Sequence, residues 1–101
     1  MAITVGNYNC EGPFLNTNQL RAQSGVYVVL GRNNASDLWN VVDIGESENV
    51  SNRVSNHDRS DSWRGTGYRE LSVAPYYCDA RTRTQVEQEL RSHYNPPCGH
   101  R

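Results

Sequence analysis

The chain has 101 residues, 36% of them hydrophobic, and a formal net charge of -1. This length predicts one domain, residues 1–101, with a single small core. The near-neutral charge excludes a broad basic surface of the kind that attracts nucleic acid nonspecifically. The three cysteines are widely spaced, which is typical of a reducing compartment rather than of a disulfide framework. We therefore expect a cytoplasmic protein that does not enter a membrane.

Residues 1–23 predict an N-terminal extension that packs on the core. Alternating apolar residues near the start favour a short strand. Asn16 or Thr17 is suited to cap a short helical turn that follows.

Two apolar runs predict a β-hairpin. Residues 25–31 are rich in β-branched side chains, as is typical of a strand buried on both faces. A loop of turn-forming residues leads into a second strand over residues 38–44. If the two strands are antiparallel, Tyr27 and Asp43 share a face of the sheet, because side chains alternate along a strand.

A helix is predicted directly after the hairpin, over residues 49–57. Ser47 is a suitable N-cap residue for it. Asn49, Arg53 and His57 follow one another at intervals of four, so we expect them to line one face of this helix.

The second half of the chain predicts a polar loop, a strand and a helix. The loop covers residues 58–68, and the strand covers residues 69–78, where Pro75 requires an edge position or a bulge. The helix begins near residue 82 or 84 and ends near residue 93, before two prolines. This order predicts an α+β fold with a small three-stranded, mainly antiparallel sheet flanked by helices.

Two motifs in the hairpin resemble the GIY-YIG nuclease domain. Residues 25–27, Gly-Val-Tyr, match the first motif of that family. Residues 43–45, Asp-Ile-Gly, stand where the second motif belongs, with Asp43 in place of its tyrosine. The resemblance covers residues 24–98 and implies a small stand-alone member of the superfamily.

Two later segments extend the resemblance. Arg53 stands one turn before His57, as in some restriction-enzyme-like members of the family. Glu87 lies at the family's distance before Pro96, where the metal-binding glutamate belongs, and Glu89 is expected to face away from the site.

The resemblance implies a metal-dependent endonuclease that hydrolyses DNA phosphodiester bonds with Mg²⁺ or Mn²⁺. Tyr27 would act as the general base and His57 would accept its proton. Arg53 would hold the phosphate, Glu87 would bind the metal, and Asp43 would be a second metal anchor. Four further polar residues would contact the substrate: Ser47, Asn49, Arg59 and Arg64.

Asp43 also supports a different interpretation. Without a metal, an acidic cluster beside the site would repel phosphate. Its members are Asp37, Asp43, Glu46 and Glu48. The alternative is therefore a non-cleaving GIY-YIG-fold module that serves binding or interaction. The sequence leaves open whether the protein is a monomer or a homodimer, and whether a protein partner targets it.

Each of the four candidate catalytic residues also has an ordinary structural explanation. Tyr27 could be a strand aromatic that packs on the sheet, and His57 could be a cation at the C-terminus of a helix, where the dipole favours it. Arg53 could pair with a nearby carboxylate such as Asp58. Glu87 could be the capping-box partner of Thr84, or it could pair with Arg91 four residues later.

Overall fold

In the computed structural model, which describes residues 2–99, a three-stranded sheet forms the centre of the molecule. The strands are β1 (Ala2–Val5), β2 (Tyr8–Glu11), β3 (Gly25–Arg32), β4 (Asn40–Ser47) and β5 (Glu70–Tyr77). The helices are α1 (Val50–Ser55), α2 (Ser60–Gly65) and α3 (Ala80–Tyr94). A short 3₁₀ turn covers Thr17–Gln19.

The central sheet has the order β4-β3-β5, and both pairings are antiparallel. Residues 25–31 of β3 are all buried, because the strand has neighbours on both edges and side chains packed on both faces. β1 and β2 form a separate hairpin. These features confirm the predicted α+β fold with a small antiparallel sheet.

One face of the sheet packs against α3 and the β1–β2 hairpin. Val26, Val28 and Leu30 of β3 form a core there with Val86 and Leu90 of α3. None of these core residues is a predicted catalytic residue, but α3 also carries Glu87.

The opposite face packs against α1 and α2. Tyr27 and Val29 of β3 cluster there with Val50 and Val54 of α1 and Trp63 of α2. Alternation along β3 places Tyr27 on this face.

The antiparallel register also brings Asp43 to this face. Tyr27 is opposite Gly45, and Val29 is opposite Asp43. The prediction that Tyr27 and Asp43 share a face is therefore confirmed.

The stretch after the hairpin differs from its prediction. α1 ends at Ser55, since Asn56 leaves the helical conformation with φ -124° and ψ 35°, and its side-chain amide donates to the Asn52 carbonyl. Asn49, rather than Ser47, is the N-cap: its side chain accepts the Asn52 N–H at 3.0 Å. The chain then turns inward instead of continuing the helical face to His57.

The segment predicted as a polar loop contains α2. Trp63 is buried on the inner side of this helix, and Asp61 lies in its first turn, where a negative charge is favourable. The many polar residues here cover the solvent side of a short helix, which is why the sequence resembles a loop.

The remaining elements follow the predicted order with shifted ends. β4 runs later than predicted, to Ser47, and α3 starts earlier, because Asp79 caps it by accepting the Thr82 N–H. β5 is an edge strand of its sheet, as Pro75 requires. Within residues 2–99, no helix is long and apolar enough to cross a membrane.

Candidate active site

A cleft in the described part of the molecule holds three of the four predicted catalytic residues. Tyr27 enters it from β3, Arg53 from α1 and Glu87 from α3. The cleft is open to solvent and has a volume of about 360 Å³. Its lining residues are Tyr27, Gly45, Glu46, Arg53, Arg59, Thr84, Glu87 and Gln88. Residues up to 61 positions apart in the sequence, Tyr27 and Gln88, thus meet at one place.

The phenol of Tyr27 lies across Gly45 on the neighbouring strand. A Cβ atom at Gly45 would be 2.2 Å from the phenol oxygen, far closer than packed atoms approach. Any side chain at this position would displace the ring. Gly45 therefore fixes where the Tyr27 hydroxyl enters the cleft.

His57 contacts the hydroxyl of Tyr27 from the buried side. Its Nε2 lies 2.6 Å from the phenol oxygen, and its Nδ1 accepts the Arg59 backbone N–H at 3.0 Å. The Asp58 carboxylate is also 3.2 Å from Nδ1, but the Arg59 N–H has the better hydrogen-bond geometry. A neutral imidazole carries one N–H, so the hydrogen-bond network assigns the proton to Nε2, which donates to Tyr27.

The charge state of His57 agrees with this assignment. Burial, followed by the charges of Arg53 and Arg59, lowers the pKa of His57 to about 4. Asp43 and Asp58 act in the opposite direction without outweighing these effects. The ring is neutral at pH 7 with Nε2 already protonated. In this arrangement His57 donates its N–H to the Tyr27 oxygen and has no free nitrogen. The structure therefore does not support the expectation that His57 accepts the Tyr27 proton.

Tyr27 is itself protonated at neutral pH. Burial raises the pKa of Tyr27, and the nearby charges of Arg53 and Arg59 offset only part of that rise. Because its oxygen accepts from His57, its own O–H remains available as a donor to a ligand in the cleft.

Two arginines line the cleft close to Tyr27. Arg53 Nη2 contacts the Asp58 carboxylate at 3.0 Å, so the pairing considered for this residue is present. Its side chain is 38% exposed, which leaves it accessible to a ligand. Arg59 is held more firmly, since its partner Asp43 is buried.

Asp43 is fully buried and does not line the cleft. Its Oδ2 accepts Arg59 Nε at 2.8 Å and the Trp63 indole N–H at 2.7 Å. Its Oδ1 accepts Arg91 Nη2 at 2.7 Å and the Ile44 N–H at 2.8 Å.

These contacts give Asp43 a structural role. Burial acts to raise the pKa of Asp43, but the hydrogen bonds and the Arg59 charge outweigh it and hold the pKa below its ordinary value. The structure does not support Asp43 as a second metal anchor, because both carboxylate oxygens already accept N–H donors.

Glu87 is the carboxylate best placed to hold a cation. It lines the cleft and accepts Arg91 Nε at 3.1 Å, so the predicted pairing four residues apart is present. Glu46 also lines the cleft and is bonded by Arg83 and Thr84.

The metal implied by the resemblance fits this site only if water and substrate phosphate supply most of its ligands. Within residues 2–99, no group of three or more His, Cys, Asp or Glu side chains could enclose a metal ion. Mg²⁺, however, is commonly bound by one or two carboxylates together with water and substrate phosphate. Glu87, with Glu46 in the same cleft, fits a site of that kind.

Three of the four predicted substrate contacts lie outside the cleft. Ser47 and Asn49 form the turn that starts α1, where the Ser47 hydroxyl accepts the Asn49 N–H at 3.0 Å. Arg64 is exposed and pairs with Asp61 in the same helix. Arg59 is the predicted contact that lines the cleft.

Sequence reasoning missed two residues that support the site. Arg91 joins Asp43 to Glu87, and Trp63 donates to Asp43. Arg91 had a local signal, because it stands four residues after Glu87 on one helix. Nothing in the sequence indicates that either side chain reaches Asp43, since these contacts join distant parts of the chain.

Comparison of the chain with protein-family models, with curated proteins and with solved structures gives no match. The function of the cleft is therefore inferred from its own geometry and chemistry.

Proposed function

We propose that the protein is a metal-dependent endonuclease of the GIY-YIG type that hydrolyses DNA phosphodiester bonds. The observation that supports this proposal is the meeting of Tyr27, Arg53 and Glu87 in one open cleft, with His57 hydrogen-bonded behind Tyr27. Phosphodiester hydrolysis needs a proton acceptor, a cation for the phosphoryl oxygens and stabilisation of the leaving oxygen. The cleft contains side chains suited to the first two of these tasks.

Each side chain has a defined task in the proposal. Arg53 holds the scissile phosphate through charge-assisted hydrogen bonds. Tyr27, as its phenolate, removes the proton of the attacking water, and the His57 N–H stabilises that phenolate. Glu87 holds Mg²⁺ or Mn²⁺, which when bound stabilises negative charge on the phosphate oxygens. Because burial raises the pKa of Tyr27, we expect the cleavage rate to increase from neutral to alkaline pH.

A plasmid-nicking assay tests this function. Supercoiled plasmid is incubated with pure protein and Mg²⁺ or Mn²⁺, and nicking is measured for wild type, Tyr27→Phe and Glu87→Gln. We expect each substitution to reduce the rate by roughly 100-fold or more, the usual contribution of a positioned acid–base group or metal ligand.

Glu89→Gln is the matched control. Glu89 lies on the same helix but is exposed and accepts the Tyr8 hydroxyl at 3.0 Å, away from the cleft. It should nick at the wild-type rate. Equal nicking by wild type and Glu87→Gln, or none by wild type, contradicts the endonuclease proposal.

A second candidate, a non-cleaving binding module, is favoured by one observation. Glu87 already bonds to Arg91, and the described residues supply no larger metal-binding group. Calorimetry separates the two functions. Heat of Mn²⁺ binding that is lost in Glu87→Gln supports the nuclease, whereas a cleft that binds DNA equally well with and without Mn²⁺, and never cleaves, supports the module.

A further inference from the structure

Among the described residues near the cleft, the buried Asp43 carboxylate accepts the most hydrogen bonds. The proposed reaction does not use it directly. Its four closest donors come from the β4 backbone, from α2 and the residue before it, and from α3. One buried anion therefore ties together the elements that surround the cleft.

The contact with Arg59 restricts the guanidinium in a specific way. Nε lies 2.8 Å from Asp43 Oδ2, and Nη2 lies 3.5 Å from Oδ1, so the carboxylate grips one edge of the planar group. Nη1 has no hydrogen-bond partner among the described residues, and Arg59 lines the cleft together with Arg53. A guanidinium held along one edge presents the rest of its donors in a fixed orientation.

The Oδ1 atom of Asp43 connects this carboxylate to α3. It accepts Arg91 Nη2 at 2.7 Å, while Arg91 Nε donates to Glu87 at 3.1 Å. Asp43 thus orders Arg59 directly and Glu87 through Arg91.

We propose that Asp43 is a positioning residue: it fixes Arg59 so that Arg59 and Arg53 together hold the substrate phosphate. The test of this role by cleavage kinetics rests on the proposed function. The test by phosphate binding does not depend on cleavage. The positioning role also explains how the acidic residue Asp43 can lie next to a phosphate-binding site. A buried carboxylate between two arginines orders cations instead of repelling phosphate.

Cleavage kinetics of Asp43→Asn form the first test. The single amide oxygen can replace only one of the two carboxylate oxygens, so it accepts the N–H of either Trp63 or Ile44, and the charge that grips Arg59 is lost. We expect kcat to fall by about tenfold, the scale of one charge-assisted hydrogen bond. We expect KM to rise as well, because an Arg59 that is no longer held in place binds the substrate phosphate less well. Asp37→Asn, an exposed aspartate in the loop before β4, should leave both constants unchanged.

A double-mutant comparison shows whether Asp43 acts through Arg59. Arg59→Gln should lower kcat and raise KM, and Asp43→Asn added to Arg59→Gln should have little further effect on kcat. Additive losses in kcat would overturn the proposal. A loss in Asp43→Asn that matches only a smaller folded fraction, as measured by circular dichroism, would also overturn it.

Nuclear magnetic resonance gives a readout without cleavage or metal. Inorganic phosphate is titrated in EDTA, and the arginine Nε–H resonances of isotope-labelled protein are followed, with Arg59→Lys used to assign the Arg59 signal. We expect phosphate to shift the Arg59 signal in wild type and not in Asp43→Asn. No shift in wild type, or the same shift in both proteins, overturns the proposal. A shift in a protein that never cleaves DNA keeps the positioning role and rejects the endonuclease.

If Asp43→Asn does not fold, Arg59→Lys decides. Lysine keeps the positive charge opposite Asp43, but its ammonium lacks the two edges with which a guanidinium can bind Asp43 and a phosphate at the same time. Wild-type cleavage or wild-type phosphate affinity in Arg59→Lys would overturn the proposal, and loss of both supports it.

Discussion

Tyr27 and Gly45 depend on each other across the pair of strands β3 and β4. The phenol occupies the space that a side chain at Gly45 would fill, and the His57 N–H then meets the phenol oxygen. The position of the hydroxyl is thus set by one missing side chain and one hydrogen bond, both on the buried side of the cleft.

Gly45→Ala tests this dependence. The added methyl group forces the Tyr27 ring to move, so we expect the free energy of unfolding to fall by about 1–3 kcal/mol, as for other overpacked sites. Urea denaturation measures the change. Gly65→Ala is the control: nothing lies within 4 Å of a Cβ at Gly65, which ends α2. Its stability should be unchanged or higher by up to about 1 kcal/mol, and an equal loss in both variants would contradict the explanation.

At the scale of single elements, the two shortest helices do most to shape the site. α1 ends at Ser55, so the chain turns and buries His57 behind Tyr27. α2 begins at Ser60, three residues after His57, and it brings Trp63 and the preceding Arg59 to Asp43.

The start of α1 provides the test at this scale. Asn49→Ala removes the side chain that accepts the Asn52 N–H, so we expect a loss of stability of about 1 kcal/mol. Asn49→Ser keeps a capping oxygen and should stay within a few tenths of a kcal/mol of wild type. Thermal unfolding of the two variants measures the difference. A loss of DNA binding without loss of stability in Asn49→Ala would instead support the substrate contact that the sequence suggested.

At the scale of the whole molecule, both faces of the sheet are covered by apolar cores, and the hydrogen-bonded groups behind the cleft lie on one of these faces. Tyr27, Asp43 and His57 belong to the α1–α2 face, and α3 reaches this side through Glu87 and Arg91. The other face packs its core against α3 and the β1–β2 hairpin. Both cores therefore contribute to folding, whereas the cleft draws on the α1–α2 face and on α3.

The buried ionisable groups make stability depend on pH. The pKa of His57 is lowered to about 4 in the folded protein and lies near 6.5 when unfolded, so the unfolded chain binds more protons between these values. Stability is complete above about pH 6.5 and falls as the pH drops toward 4, by about 3 kcal/mol. Asp43, with its pKa lowered, adds a further loss at more acidic pH, below its unfolded pKa of about 3.9.

Urea denaturation at several pH values between 7.5 and 4.5 measures this dependence. His57→Gln should flatten the change across the window, because the titrating ring is gone. His93→Gln replaces an exposed histidine on α3 and should keep the wild-type slope. A flat wild-type profile, or flattening by His93→Gln, would contradict the assignment to His57.

The sequence by itself determined the features that depend on neighbours along the chain. The β-branched run places β3 at the centre of the sheet, Pro75 places β5 at an edge, and alternation places Tyr27 and Asp43 on one face. The resemblance to the GIY-YIG family, rather than any pattern along the chain, implied that Tyr27, Arg53 and Glu87 share a site, and all three line the cleft.

Only the tertiary structure decided what Asp43 and His57 do. Asp43 looked like a metal anchor or a mark of lost activity, yet its partners Arg59, Trp63 and Arg91 are 16, 20 and 48 residues away. The His57 tautomer likewise depends on an N–H beyond the end of α1. Periodicity records which face a residue occupies, whereas the charge and hydrogen-bond role of a buried group depend on partners that only the folded chain brings together.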